Sequence, residues 1–310
     1  MIRSMPNDAL AALRAGGLVI VPTETVYGLA ADDADPQAVA RIYEAKGRPR
    51  FNPLISHVSN FVAAERLGYF GEVARALAQA FWPGPLTLVV PFRAGAPVSD
   101  LARAGLETVA VRVPAHPLML ELLALFGGAL VAPSANRSGR PSPTTFADAW
   151  EETGFAAAAG LDGGPCAVGL ESTVIAALDG GPVKLLRPGG IPREEIEGVA
   201  GPVAEAATDA KRSPGRLALH YAPDAPVRLE ADTPTPGEAY LAFGHDPPRP
   251  QQVWNLSPTG DLHEAAANLF AYLRAADRTQ PTGIAVAPIP RHGLGEAIND
   301  RLRRAAGYIG

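Results

Sequence analysis

Short apolar runs alternate with amphipathic segments along the first two hundred residues. The run GGLVIVP predicts a buried strand entered through glycines, and PQAVARIYEAKG predicts a helix with Ala38, Ile42 and Ala45 on one face and Gly47 past its end. Four more strands are predicted in LTLVVPF, TVAVRVP, GALVAPS and STVIAAL, and another helix in HPLMLELLALFGG. Strands and helices mixed in this way are typical of an α/β or α+β domain.

The pattern changes around residue 200. The stretch from EEIEGVAG to HYAPDAP is rich in small and polar residues and indicates a linker with an embedded extended segment. Beyond it, AYLAFG and GIAVAPI predict strands, and DLHEAAANLFAYLRAAD and LGEAINDRLRRAAG predict helices. We therefore expect one domain over residues 1–205, a linker over 206–226 and a small α/β domain over 227–310.

Length, charge and cysteine content narrow the class of protein. A chain of 310 residues exceeds the usual size of one compact core, so two domains are the default expectation. The 27 Lys and Arg against 32 Asp and Glu do not favour DNA or RNA as a partner. The single cysteine, Cys166, excludes an intramolecular disulfide and indicates a reducing compartment. No apolar run resembles a secretory signal or a membrane span, so we expect a cytoplasmic protein without a membrane partner.

Candidate chemistry lies in polar loops at the ends of the predicted strands. The sequence has no GxxxxGK[ST] loop, GxGxxG fingerprint, HExxH or GxSxG motif. The stretch KGRPRFNPL instead places Lys46, Arg48 and Arg50 on a segment that two prolines keep out of a helix. Because the chain has a net charge of -5, so compact a group of cations indicates a local purpose for the positive charge.

The linked motifs resemble a known family, the threonylcarbamoyl-adenylate synthases of the YrdC type, in the two-domain form called Sua5. In chain order the resemblance is carried by PTETVYGLAADD, IYEAKGRPRFNPLISHV, FWPGPLTLVV, TVAVRVPAHP, VAPSANRSGRPSPT, LESTVI, LLRPGGI, HYAPDAPV and PRHGLGEAINDRLRRAAGYI. It covers nearly the whole chain. The resemblance implies a YrdC-like twisted mixed sheet with helices around a concave basic cavity, followed by a small Rossmann-like α/β domain.

The same resemblance implies a nucleotidyltransferase. Members of the family convert L-threonine, bicarbonate or CO2, and ATP into L-threonylcarbamoyl-adenylate and pyrophosphate, the first step toward the t6A modification of tRNA. A downstream threonylcarbamoyl transferase complex that acts on tRNA then receives the product. Fixed cations, with Mg2+ held through the ATP phosphates, can neutralise the pyrophosphate leaving group without a covalent enzyme intermediate. We expect no protein ligands to the metal.

Site residues follow from positions that match the family motifs. The two cations Lys46 and Arg48 are assigned to catalysis. The resemblance implies these ATP contacts: Lys46, Arg48, Asn52, Thr108, Ser134, Ser142 and Arg187. It implies these threonine contacts: Thr25, His57, Arg112, the backbone of Ala132, and Ser172. A guanidinium can bind a carboxylate through two parallel hydrogen bonds, so Arg112 is our choice for the threonine carboxylate.

The residue types alone also allow plain structural roles. Lys46 could interact with a helix dipole, and Arg48 could form a surface salt bridge. Thr25 could bond to nearby backbone, His57 could be an ordinary buried histidine, and Arg112 could point from its strand into solvent. The APSANRSGRPSP segment could be a simple Ser/Pro turn, or a loop that Asn136 braces.

The linker departs from the family pattern. The segment SPGRLALHYAP places Leu217 and Ala218 where the family has a basic and an aromatic residue, so any ATP contact made there is lost. His220 and Tyr221 match but are not assigned a role. Two other functions stay open: an RNA-binding protein that uses the same concave basic surface, and a carbamoyl-transfer domain of the hydrogenase-maturation type. The second usually carries zinc-finger cysteines, which one cysteine cannot provide.

Overall fold

A computed structural model describes residues 4–49, 51–178, 180–205, 220–245 and 253–307 of the chain. The described residues form two sheets, one of ten strands and one of four. We call residues 4–205 the N-terminal unit and residues 220–307 the C-terminal unit, each with the gaps given above. Among the described residues, no helix is both long enough and apolar enough to cross a membrane.

The larger sheet lies in the N-terminal unit and mixes parallel and antiparallel pairs. Its strands are β1 Leu18–Val21, β2 Gly28–Asp32, β3 Ile55–His57, β4 Leu86–Pro91, β5 Thr108–Arg112, β6 Leu130–Val131, β7 Ala157–Gly160, β8 Thr173–Ala176, β9 Lys184–Arg187 and β10 Ala204–Glu205. Their spatial order is β10-β9-β8-β4-β5-β3-β6-β2-β1-β7. Strand β5 pairs in parallel with β3 and antiparallel with β4, while β4 pairs in parallel with β8. The predicted twisted mixed sheet is confirmed.

Helices cover this sheet and bury its apolar side chains. They are α1 Pro6–Arg14, α2 Pro36–Lys46, α3 Phe61–Glu65, α4 Glu72–Phe81, α5 Pro117–Phe126, α6 Phe146–Thr153 and α7 Arg193–Ala200. The segment EEIEGVA is predicted as part of the linker stretch, and this prediction is wrong, because its residues form most of α7. Ile196 lies fully buried against the main core, and that burial stabilises a helix that its polar composition does not predict.

Helix α2 places the cationic segment. Its N-terminus is capped by Asp35, whose side chain accepts a hydrogen bond from the Gln37 backbone at 2.8 Å, and Pro36 fills the first turn. Gly47 ends the helix in the left-handed conformation with φ 58°, which glycine adopts at little cost. The chain therefore turns sharply after Lys46, whose side chain is buried in the last turn.

The smaller sheet is wholly parallel, with spatial order β11-β14-β12-β13. Its elements are β11 Val227–Arg228, β12 Glu238–Ala242, β13 Val253–Asn255, α8 Leu262–Asp277, β14 Gly283–Val286 and α9 Leu294–Ala305. A parallel sheet with crossover helices confirms the small Rossmann-like unit. The linker over 206–226 and the domain limits beside it stay predictions, because residues 206–219 lie outside the described part of the chain.

The two units meet in a tight, charged interface. At Gly169, with φ +74°, a Cβ atom would lie 2.5 Å from the backbone of α8, so only glycine allows this approach. Ion pairs join the units at Arg274 with Glu152 (3.0 Å), Arg278 with Asp148 (2.5 Å), Arg193 with Glu296 (2.7 Å) and Arg301 with Glu171 (2.8 Å). The side chains of Arg274, Glu152, Arg301 and Glu171 are all less than one tenth exposed.

Candidate active site

A concave cavity, partly open to solvent, lies where the ends of several strands of the larger sheet meet the C-terminal unit. Its walls are formed by Thr25, Val26, Arg48, Leu54, Ile55, His57, Arg112, Ala132, Pro133, Ser134, Glu171, Ser172, Arg187, His220 and Tyr221. Residues from strands β3, β5 and β9 contribute to these walls, as do the loops before β2 and after β6.

Arg48 supplies a cation without a carboxylate partner among the described residues. One Nη2–H donates to the Pro53 carbonyl at 3.3 Å, and the buried Nε–H has no hydrogen-bond partner in the described chain. Burial, more than any nearby charge, lowers the pKa of Arg48 to about 10, so it remains charged at neutral pH. A buried, charged and incompletely bonded guanidinium favours an anionic ligand.

Lys46 lies directly behind this wall. Its ammonium group donates to the backbone carbonyls of Ser134 and Asn136, and the side chain is 3% exposed. Burial, together with the charge of Arg48, holds the pKa of Lys46 well below its usual range. Asn136 braces the same loop, since its side chain donates to the carbonyls of Arg137 and Arg140 at 2.8 and 2.9 Å.

Arg112 ends strand β5 and faces the cavity. Its Nη1 donates to Thr25 Oγ1 at 3.0 Å, its Nη2 donates to Glu24 Oε1 at 2.6 Å, and its Nε donates to the Gly84 carbonyl at 3.2 Å. The alternative that Arg112 points into solvent is wrong, because it is 3% exposed. Burial raises the pKa of Glu24, but the charge of Arg112 and its hydrogen bond outweigh this effect and leave the net pKa below its ordinary value.

His57 lies beside Arg112 as a neutral group. Its Nδ1 lies 3.0 Å from the Ile55 carbonyl, which fixes the proton on that nitrogen. Burial and the charge of Arg112 lower the pKa of His57 to about 3. His57 therefore offers the site a fixed hydrogen-bonding ring and does not titrate near neutral pH.

Ser172 lines the cavity and is held in place by two neighbours, Thr87 and Arg187. Its hydroxyl lies 2.7 Å from Thr87 Oγ1 and accepts from Arg187 Nη2 at 3.1 Å. The same Nη2 donates to the Ser172 carbonyl at 2.9 Å, and burial lowers the pKa of Arg187. Because Thr87 is fully buried on β4, the position of Ser172 is fixed by the centre of the sheet.

The structure brings most of the predicted site residues to one cavity. Those that line it are Thr25, Arg48, His57, Arg112, Ala132, Ser134, Ser172 and Arg187. Ser142 lies behind the wall and donates to Glu171 Oε1 at 2.5 Å. Asn52 and Thr108 do not line the cavity. Thr108 begins β5 and shares a sheet face with Arg112, four residues further along. Arg50, Leu217 and Ala218 lie outside the described residues.

Sequence reasoning missed the acidic members of the site. Glu24 and Glu171 stand within the quoted motifs PTETVYG and ESTVI, but a carboxylate is not expected where anions bind, so neither was assigned. His220 and Tyr221 also line the cavity, with ring centroids 3.9 Å apart. Burial lowers the pKa of His220 to about 3, so this ring is neutral. The matching HYAP segment was the available signal for both.

No group of three or more metal-ligating side chains that could hold an ion occurs in the described part of the chain. Glu171, a carboxylate on the cavity wall, already accepts hydrogen bonds from Ser142 and Arg301.

Comparisons with known proteins match both units. A family model of Sua5, YciO and YrdC proteins, described as telomere recombination, matches residues 11–189, and the threonylcarbamoyl-AMP synthase C-terminal domain matches residues 191–307. The threonylcarbamoyl-AMP synthase of Pyrococcus abyssi is 42% identical in an alignment of 318 positions, which covers 96% of this chain and 92% of that protein. The Bacillus subtilis enzyme of the same name is 40% identical in an alignment of 326 positions, which covers 97% of this chain and 92% of that protein.

A solved structure agrees with the sequence matches. The crystal structure of P. abyssi Sua5 complexed with L-threonine has a TM-score of 0.89 and 39% identity to this chain, and the match covers 99% of this chain and 97% of that one. The resemblance drawn from the sequence motifs is therefore confirmed over nearly the whole length. The chain belongs to the Sua5, YciO and YrdC family, in the form that also carries the threonylcarbamoyl-AMP synthase C-terminal domain.

Proposed function

We propose that the protein is an L-threonylcarbamoyladenylate synthase, a nucleotidyltransferase that uses L-threonine, bicarbonate or CO2, and ATP. The observation that carries the proposal is the gathering of Arg48, Arg112 and Arg187 in one cavity of a chain whose net charge is -5. A triphosphate and an amino-acid carboxylate are the anions that such a cavity can neutralise. Membership of a family whose curated relatives bear this name supports the same reaction.

Threonine recognition is assigned to the wall around Arg112. A guanidinium has five N–H donors, and the hydrogen bonds to Gly84, Thr25 and Glu24 use three of them. Two donors are left for the threonine carboxylate. Thr25, His57, the Ala132 backbone and Ser172 complete this half of the proposed site, while the Glu24 carboxylate is positioned to attract the ammonium group of the amino acid.

ATP recognition is assigned to the other cations. We place the triphosphate against Arg48 and Arg187, with Lys46 behind Arg48 contributing charge and one unused N–H. Ser134 lines the same wall, Ser142 acts from behind Glu171, and Asn52 and Thr108 complete the proposed ATP contacts. Mg2+ carried on the phosphates would supply further charge neutralisation.

The reaction follows from this arrangement. The threonine ammonium first loses a proton to solvent, and the free amine adds to CO2 and releases a second proton to give N-carboxythreonine. A carboxylate oxygen of that species then attacks the α-phosphorus of ATP. A new P–O bond forms while the bond from the α-phosphorus to pyrophosphate breaks, and the electron pair leaves with pyrophosphate. Lys46 and Arg48 act as the catalytic cations, because they stabilise the negative charge that grows on the leaving group. Because the rings of His57 and His220 are neutral, neither changes the charge of the site near neutral pH.

The chemistry of the proposed product indicates which kind of partner receives it. A mixed anhydride of a carbamate and a phosphate is labile in water, so the proposed product passes to a threonylcarbamoyl transferase complex that modifies tRNA. We propose a cytoplasmic enzyme with no membrane partner and with weak or no direct binding of nucleic acid. The unpaired, buried thiol of Cys166 supports a reducing compartment.

Pyrophosphate release by the purified full chain tests the proposal. We expect release that requires L-threonine, bicarbonate and Mg-ATP together, and that stops when any one is omitted. Arg112→Lys should raise the KM for threonine, and Arg48→Met the KM for ATP, each roughly 10- to 100-fold. Arg14→Met, at an exposed position on α1, is the control and should change neither constant.

Two outcomes would overturn it. Pyrophosphate release that does not depend on threonine would indicate a different acceptor. Salt-sensitive RNA binding without any such release would favour the RNA-binding alternative, because phosphate contacts with RNA weaken steeply with ionic strength.

A further inference from the structure

Helix α9 of the C-terminal unit carries a fully buried cation that the proposed reaction does not use. Arg301 has no exposed surface, and its guanidinium donates through Nε to Glu171 Oε2 at 2.8 Å and through Nη2 to the Pro188 carbonyl at 3.0 Å. Its Nη1 donates to Asp300 Oδ2 at 2.6 Å, and its charge lies 5.1 Å from the centre of the Tyr221 ring. All three nitrogens of the group are therefore hydrogen-bonded.

Two of these four partners belong to the wall of the cavity, and a third adjoins it. Glu171 and Tyr221 line it, and Pro188 directly follows Arg187, which also lines it. Glu171 lies 130 residues before Arg301 in the chain, and Pro188 lies 113 before it. One guanidinium from the C-terminal unit thus touches a carboxylate, an aromatic ring and the backbone beside a cavity arginine. Arg301 itself does not line the cavity and acts on it from behind the wall.

The chemistry of Glu171 explains why this contact matters. Glu171 is a carboxylate on the wall of a cavity that we assign to a triphosphate, where an unpaired negative charge would repel the ligand. Ser142 Oγ–H donates to one of its oxygens and Arg301 to the other, so both are occupied. Burial raises the pKa of Glu171, but the charges of Arg301 and Arg187 outweigh it, and the group stays ionised.

We propose that Arg301 is a positioning residue for the nucleotide half of the site. It cancels the charge of Glu171 and fixes that side chain, the Tyr221 ring and the backbone after Arg187, so the C-terminal unit completes the cavity from behind. This inference rests on the proposed synthase function, and it assigns to α9 of the C-terminal unit an indirect part in ATP binding.

Steady-state kinetics of pyrophosphate release test the proposal. In Arg301→Met the uncompensated Glu171 should raise the KM for ATP about tenfold or more. The KM for threonine should change less, because Arg112, which is assigned to the threonine carboxylate, is held by Gly84, Thr25 and Glu24. Arg301→Lys keeps the positive charge but not the planar guanidinium with its several fixed donors, and it should recover part of the lost ATP affinity. The matched control is Arg278→Met, which removes another arginine of the C-terminal unit that pairs with the N-terminal unit away from the cavity, at Asp148.

A double variant separates positioning from general support of the fold. If Arg301 acts through Glu171, then Glu171→Gln in the Arg301→Met background removes the bare charge and should restore most of the ATP affinity. A purely structural role predicts the reverse, because losing a second buried partner would add to the damage. If the Arg301→Met variant does not fold, the single variant Glu171→Gln is compared with the double variant Glu171→Gln/Arg301→Met. The proposal predicts that the KM values of these two variants for ATP differ less than about twofold.

The outcomes are distinct. Equal KM values for ATP in the wild type and folded Arg301→Met, or no recovery in the double variant, would overturn this inference and leave the synthase function standing. No threonine-dependent release by the wild type would overturn the function itself, and the inference with it.

Discussion

Asp33 gives a sharp test of the electrostatics inside the N-terminal unit. Its side chain follows β2 and is fully buried, and neither carboxylate oxygen has a hydrogen-bond partner among the described residues. Burial raises the pKa of Asp33 from 3.8 to about 7, opposed by the nearby Ser56 hydroxyl and by the charge of Arg103. A carboxylate that stays ionised at neutral pH in this environment is therefore costly.

The sign and size of the effect follow from proton linkage. Because the pKa is higher in the folded state, the folded protein binds the proton more tightly, and stability is lost as the pH rises from about 4 to about 7. Above that range the loss is complete and stays constant. A difference of about 3 pKa units corresponds to roughly 4 kcal/mol. Asp33→Asn keeps the shape of the side chain and removes the titration.

Urea unfolding between pH 4.5 and 8.5, followed by tryptophan fluorescence, would measure it. The free energy of unfolding of Asp33→Asn relative to the wild type should rise by roughly 1.4 kcal/mol per pH unit between about 5 and 7, then level off. Asp32→Asn, at the adjacent and partly exposed carboxylate, is the control. A difference between Asp33→Asn and the wild type that stays constant across this range would refute the reasoning.

Three further predictions concern the interface, the site and the thiol. Gly169→Ala places a Cβ 2.5 Å from a carbonyl oxygen of α8 and should destabilise the protein by about 1–3 kcal/mol more in urea unfolding than Gly105→Ala, which has a similar positive φ in open space. Thr87→Val removes the hydroxyl beside Ser172 and should raise the KM for threonine about fivefold, while Thr87→Ser should not; equal effects would contradict the contact. Burial raises the pKa of Cys166 to about 12, so iodoacetamide at pH 8 should label it in urea but not in the folded protein, as mass spectrometry would show.

The amphipathic segments were predictable because their periodicity is strong. The helices α5, α8 and α9 lie where the apolar spacing placed them, and Gly47 ends α2 as its sequence position predicts. Strands β2 and β9 were missed because GLAAD and LLR stand inside motifs that we interpreted as polar loops. A short strand has too few residues to establish its period, and pairing in the sheet stabilises it, with β1 and β6 for β2 and with β8 and β10 for β9.

Some residues of the site could also be predicted from the sequence, and others could not. Local motifs identified its cations, because Lys46 and Arg48 are unusual on so short and stiff a segment. Glu171 and Arg301 could not be paired from the sequence, since they lie 130 residues apart and belong to different units. An arginine in DRLRRAAG resembles the solvent-facing charge of any amphipathic helix, and only tertiary packing shows that this one is buried.

The separation of Glu171 and Arg301 along the chain also means that the ribosome synthesises them at different times. A ribosome adding about 5–20 residues per second needs roughly 10 seconds to travel the 130 residues between them. During that interval the nascent larger sheet presents a carboxylate with no counterion from α9. On the role proposed for Arg301, a chain that still lacks α9 should bind ATP weakly, and formation of the anhydride should await synthesis of that helix.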